Sequence, residues 1–304
     1  MNWEHARRLL HLRKSEAAKA DRMGDLAPVG EVYGIARAAS LCIASGKGGT
    51  GKSITAASLG AKFAREGRTL IVDADMGIGN AHILQGITPD RSFVELVAGT
   101  AAPREVIASC GDHLDLIAAG SGVSKMAELT PFEMHRIAEA LEQVETEYEY
   151  LVVDSAAGVS NQTVTFAAAS DACVVVTTPA VTAMTDAYAF IKVLLRCRSD
   201  AEPLLVVNRA RSYEEACSVV KRMETVCRRF LDRAPRWIGW IPDDPEVICA
   251  VNARRAVVEH EPEAPAALAL DHLSDVLLDE LARVRSRGLG RSLMSRVVYS
   301  PKLA

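Results

Sequence analysis

The stretch ASGKGGTGKS (44–53) combines glycines, two lysines and a hydroxyl, the residue types that handle phosphate. In the spacing Gly46-x4-Gly51-Lys52-Ser53, the glycines Gly48, Gly49 and Gly51 let backbone N–H groups turn inward around phosphate oxygens. Lys52 is placed to contact the outer phosphates and the Ser53 hydroxyl to ligate Mg2+, and a helix starting there adds the positive end of its dipole. Gly46 and Thr50 complete the loop. A glycine-rich turn that binds nothing is the competing reading; the apolar run before the loop and the helical pattern after it argue against that. One lysine suffices for such a site, yet Lys47 stands at its mouth. From there its side chain cannot easily fold back onto phosphates that the backbone wraps, but it can reach phosphates held by another subunit. The plainer reading of Lys47 is a solvated surface lysine.

Carboxylates accompany two further apolar runs. VDADMGIGN (72–80) carries Asp73 and Asp75, and LVVDSAAGVS (151–160) carries Asp154. An acid at the C-terminal end of a strand lies where ligands bind in α/β folds. Each aspartate taken alone is also readable as a cap; three pieces in this order argue for one shared site. The small residues Ser155, Ala156, Ala157 and Gly158 leave room for a segment that moves when a phosphate departs. Asn208 terminates LLVVNRA, and Pro242, followed by Asp243, terminates WIGWIP. Asn-Arg after a strand is also an ordinary turn.

Strands and helices must hold these groups in place. Apolar runs fall at 39–45, 69–75, 113–120, 150–156, 172–179, 203–210 and 237–242. They are continuous rather than alternating, which predicts strands buried on both faces, hence an α/β fold with a parallel sheet of seven or more strands and helices on each side. Helical patterns over 53–66, 131–147, 182–197 and 213–231 supply the crossovers, and TPFE starts one of them with a threonine cap and Pro131 at its first position. Another helix is expected at about 265–285. This gives one domain over 39–286, preceded by an N-terminal amphipathic helix (1–22) and a Gly/Pro-containing linker (23–38), and followed by a tail (287–304).

The net charge of −4 is unevenly spread. Residues 1–22 carry six Lys/Arg against three Asp/Glu, residues 283–304 carry six Lys/Arg and no acid, and residues 23–282 are left with −13. Seven scattered cysteines without a C-x-x-C pair suit a reducing compartment, and no apolar run is long enough to span a bilayer, so a cytoplasmic protein is expected.

KGGTGKS resembles the deviant phosphate loop of the MinD/ParA group of ATPases, and the resemblance extends over about residues 39–260. It implies the P-loop NTPase fold, ATP and Mg2+ as cofactors, and slow hydrolysis of ATP used as a switch. It implies that Lys47 stabilises the partner subunit's phosphates, so that ATP binding and homodimerisation are one event, much as an arginine finger acts. It assigns water orientation to Asp75, the metal to Ser53, Asp73 and Asp154, and switch positions to Asn80, Ser155 and Gly158. Asn208 would read the base, and the loop after Pro242, with Asp243, would contact it.

Within the group, AAGSG (118–122), DSAAGVS (154–160) and TTPAVTAMTDAYAFIK (177–192) are similar to the flagellar branch, the FlhG or YlxH type. EHARRLL (4–10) is similar to a stretch, Asp-Gln-Ala-x-x-Leu-Arg, with which that branch stimulates a signal-recognition-type GTPase. Ala6 and Leu9 match, Glu4 and His5 replace the first two residues, and Leu10 replaces the arginine. A solvated arm is the other reading. In the tail, Leu289, Leu293 and Val297 share one helical line with Met294 and Val298 beside them, and Arg287, Arg291 and Arg296 flank this face. Such a segment suits an anionic membrane surface, and two of them on a dimer would supply avidity; a solubilising tail is the alternative.

The combined expectation is an ATP-gated dimeric switch at the inner face of the membrane, controlling flagellar number or placement. A septum-positioning MinD or a partitioning ParA is the nearest alternative. The latter needs a basic DNA-binding face, and the acidic body argues against nucleic acid. An iron–sulfur carrier on the same fold would need paired cysteines, and a ligase would need a second substrate domain.

Overall fold

The computed structural model describes residues 37–120, 126 and 129–286. Strands β1 (Ala39–Ser45), β2 (Thr69–Ala74), β3 (Ile107–Gly111), β4 (Leu114–Ile117), β5 (Tyr150–Ala157), β6 (Ala172–Thr177), β7 (Leu204–Ala210) and β8 (Arg236–Pro242) form one eight-stranded sheet. Their order is β3-β4-β2-β5-β1-β6-β7-β8. All pairs are parallel except β3 with β4. Seven of these strands are the expected apolar runs. The edge strand β3 was not expected: its IASCG is only half buried and carries no continuous apolar run.

Helices α1 (Lys52–Phe63), α2 (Ala81–Leu84), α3 (Phe93–Ala98), α4 (Pro131–Glu145), α5 (Asn161–Ala169), α6 (Val181–Cys197), α7 (Tyr213–Leu231), α8 (Pro245–Asn252), α9 (Val257–His260) and α10 (Pro265–Ser286) follow in chain order. The apolar stripes of α3 through α7 pack on one face of the sheet, with Phe93, Ile137, Phe166, Phe190 and Met223 fully or nearly buried. On the other face Leu59 and Phe63 of α1 meet α9 and the Leu270, Leu273, Leu277 and Leu281 stripe of α10. Burying both faces explains why the strands lack polar alternation. Helix α5, NQTVTFAAA, also escaped the pattern reading. It is short and buries Val164, Phe166 and four small residues, so it shows little amphipathic contrast.

β1 lies between β5 and β6; the chain goes from it to β2 on one side and later fills β7 and β8 on the other. Ligands bind at such a reversal point, outside the C-terminal strand ends. Those ends bring together the turn after β1, Asp73 on β2, Asp154 on β5 and Asn208 on β7. No helix among the described residues is long and apolar enough to cross a membrane. The N-terminal helix, the linker up to residue 36 and the tail lie outside the described residues.

Candidate active site

Two constraints shape the turn from β1 into α1. Gly49 and Gly51 adopt φ of 76° and 93°, which favours glycine. A Cβ on Gly46 would lie 2.0 Å from the Asp186 carbonyl oxygen, and one on Gly51 would lie 2.1 Å from Asn208 Nδ2. A Cβ on Gly48 would meet no protein atom within 4 Å, so packing does not require glycine there, and the absence of that Cβ leaves room for a bound group to approach the backbone. The Ser45 hydroxyl donates to Lys47 O at 2.7 Å, and Asn208 Nδ2 donates to Thr50 O at 2.8 Å, fixing the loop from both sides.

α1 begins directly at Lys52, with Gly51 as its N-cap, no side-chain cap and no acid in its first turn. By contrast, Ser92, Thr130, Ser160, Ser212 and Asp244 cap α3, α4, α5, α7 and α8 with side-chain oxygens. The first N–H groups of α1 are left for an anion, in line with the dipole. Lys52 is buried to 7% exposure, and burial strengthens its attraction for phosphate oxygens.

The three aspartates occupy different environments. Asp73, fully buried, pairs in register with Asp154 across β2 and β5. Its Oδ1 accepts from Asp75 N at 3.2 Å and its Oδ2 from Ala81 N at 3.1 Å, so it holds the segment that carries Asp75 and Asn80. Burial and the Asp154 carboxylate push Asp73 well above the ordinary carboxylate range. Asp75 is half buried, accepts from Ile78 N at 3.3 Å, and starts an exposed turn. Asn80 is exposed at the start of α2.

Asp154 is the outlier. It is 1% exposed, and neither carboxylate oxygen has a hydrogen-bond partner among the described residues. Burial pushes its carboxyl up to about 6, opposed by Lys52 and the Ser53 hydroxyl and reinforced by Asp75. Lys52 and Ser53 ease this charge only in part, and a buried anion whose oxygens lack close hydrogen bonds stays costly until a further cation completes it. Oxygen donors such as those of Asp154 and Ser53 are the chemistry Mg2+ selects. Asp154 and Ser53 would hold Mg2+, and the chemistry supplied there would be positive charge against that of the phosphates. The Ser155 hydroxyl donates to Ile43 O at 3.0 Å, pinning β5 to β1. Gly158, whose φ is 92°, is tied to the same strand, its N–H donating to Ser45 O.

Beside the loop, a cavity of about 380 Å³ runs from Lys52 and Asn208 to Pro242, Val247, Ile248 and Leu270. Its apolar wall suits a flat base, and its volume lies in the range of small-ligand sites. Asn208 and Pro242 are both on it, as is Asp243, which pairs with Arg209 at 3.3 Å. The Asn208 amide is engaged with Thr50 O, on the loop side of this cavity. Sequence reasoning missed Val247, Ile248 and Leu270, which reach the cavity from α8 and α10. It also missed the partner of Lys47, whose Nζ donates to Thr182 Oγ1 at 2.8 Å at the start of α6.

A glycine loop feeding an uncapped helix, with a buried lysine and a strand-end aspartate, defines a P-loop nucleoside-triphosphatase. A family model described as "NUBPL iron-transfer P-loop NTPase", of the ParA group, matches residues 37–278. The chain belongs to the ParA/MinD family of P-loop NTPases; it is an ATPase that works with ATP and Mg2+. It is 31% identical over 262 residues to the antiactivator FleN of Pseudomonas aeruginosa, covering 86% of this chain and 94% of FleN. It is 28% identical to the flagellum site-determining protein YlxH of Helicobacter pylori, covering 79% of this chain and 82% of YlxH. In fold it is similar to the septum site-determining protein MinD of Pyrococcus horikoshii, solved with Mg-ADP. The TM-score is 0.67 at 21% identity, covering 82% of this chain and 98% of MinD.

Proposed function

We propose that this ATPase is a nucleotide-gated homodimeric switch that sets flagellar number or placement. The observation that carries the switch is the position of Lys47: it is exposed at the loop mouth and turned away from its own loop. In that position it is available to phosphates bound by a second copy. ATP would then close a dimer, Asp75 would orient the attacking water, and hydrolysis would reset the monomer. The flagellar assignment rests on the similarity to FleN and YlxH, whose names tie them to antiactivation and to flagellum site determination. The basic tail would hold the ATP-bound dimer at an anionic membrane, and the EHARRLL segment would engage a signal-recognition-type GTPase.

Deleting the gene and counting flagella per cell, with cell length measured in the same micrographs, tests the assignment. A changed flagellar number or position with normal division supports it. Normal flagella with minicells or filaments would replace it with septum positioning, the role in the name of the MinD relative from Bacillus subtilis, 28% identical over 247 residues.

A further inference from the structure

Helices α6 and α7 pack on the same face of the sheet and leave between them a groove of about 320 Å³. Lys192, Leu195 and Arg196 line it from α6; Phe230, Leu231 and Arg233 line it from the end of α7 and the turn beyond. Phe230 is 62% exposed, although large aromatic side chains are normally well buried. Its ring meets Tyr188 edge-on at 6.4 Å, and the Arg229 guanidinium stands 5.2 Å from its centroid. Val226, one turn earlier on α7, is exposed as well.

The surroundings are strongly cationic. Lys192, Arg196, Arg228 and Arg229 form no ion pair among the described residues, and Lys221 and Arg222 add charge one to two turns along α7. Glu224 and Asp232 are the acids on this stretch, and Asp200 faces Arg198 instead. Yet residues 23–282 as a whole carry −13. Lone pairing costs do not explain such a concentration: an exposed aromatic ringed by arginines is the composition of an interface centre.

The charge decides the occupant. The two ends of this chain are themselves basic, with six Lys/Arg each, so the groove repels them. A flat membrane favours a protruding apolar surface, whereas this one is concave between two helices and takes an inserted side chain. We propose that the groove between α6 and α7 docks an acidic amphipathic helix of a partner protein. That helix would seat one bulky apolar side chain against Phe230 and place carboxylates against Lys192, Arg196 and Arg229.

The full chain is tested by fluorescence anisotropy with a labelled helical peptide bearing leucine and tryptophan on one face and glutamates on the other. The same peptide with lysines for glutamates, and phosphatidylglycerol vesicles, serve as comparisons. Binding of the acidic peptide alone is expected, weakening as salt rises. Phe230→Ser and Arg196→Glu should each weaken it about tenfold or more, while ATP hydrolysis and the melting temperature stay at wild-type values. Equal binding of both peptides, or acidic-peptide binding untouched by the two substitutions, overturns the proposal. So does Phe230-dependent vesicle binding without peptide binding, which would make the patch a membrane contact.

Discussion

Lys47 Nζ donates to Thr182 Oγ1 at 2.8 Å, which joins the mouth of the phosphate loop to the first turn of α6. The lysine is thereby held off its own loop, and the backbone around Gly48 and Gly49 stays open. Lys47→Ala should therefore still bind ATP, since Lys52 and the loop backbone remain. It should stay monomeric with ATP, whereas the proposed switch requires the wild type to dimerise. Light scattering with ATP decides this: a normal ATP-bound dimer removes Lys47 from any cross-subunit role.

Asn208 and Gly51 define a second prediction. Gly51→Ala places a methyl group 2.1 Å from Asn208 Nδ2 at a φ of 93°, combining a clash with backbone strain of about 1–3 kcal/mol. ATP affinity should fall by roughly tenfold or more. Asn208→Ala should weaken ATP more mildly, by the bond to Thr50 O. The pair Gly51→Ala with Asn208→Ala should bind better than Gly51→Ala alone, because the clash is with that side chain. Strictly additive losses in calorimetric titrations would refute the steric account.

The buried Asp154, whose oxygens lack a close hydrogen bond, predicts a trade between stability and activity. A carboxyl at about 6 when folded, against 3.8 ordinarily, binds more protons folded than unfolded. Stability is therefore lost as pH rises through this window, and at pH 7.5 the charged form carries the full penalty. Asp154→Asn should melt higher than wild type at pH 7.5 without Mg2+, by roughly 2–4 °C per kcal/mol recovered. It should show a flatter profile between pH 4 and pH 6, the window set by those two values. Hydrolysis of ATP should drop by at least about tenfold. Melting curves at several pH values check the first part, and a lower-melting variant would count against it.

Cysteine reactivity should sort by burial. Cys249 is exposed on α8, whereas Cys42, Cys173 and Cys227 are buried. Burial raises the Cys227 thiol to about 11, and contact with Cys173 together with burial holds Cys42 well above the ordinary thiol range, which disfavours thiolate at pH 8 in both. A chromogenic thiol reagent at pH 8 should modify Cys249 at once and these three only after denaturant. Rapid native modification of Cys227 would show that α7 opens.

The tail makes the last prediction. Removing residues 287–304 should abolish ATP-dependent sedimentation with anionic vesicles, because it removes Arg287, Arg291 and Arg296 and the Leu289–Val298 apolar line. Unchanged sedimentation would point to a different anchor.

The phosphate loop was legible in the sequence because it is local: β1, the glycines and α1 are contiguous, and backbone sterics alone demand glycine at φ of 76° and 93°. The buried strands were legible because burial on both faces strips polar residues from a run. What the chain order does not carry is adjacency. That β1 lies between β5 and β6, that Asp73 faces Asp154 in register, and that Asn208 reaches Thr50 from 158 residues away follow only once the strands pair. β3 and α5 escaped because an edge strand and a short buried helix show little of the contrast that pattern reading needs. The Phe230 groove escaped for a related reason: Phe230 and Leu195 look like core residues on their own helices. Only the packing of α6 against α7 left that aromatic ring uncovered.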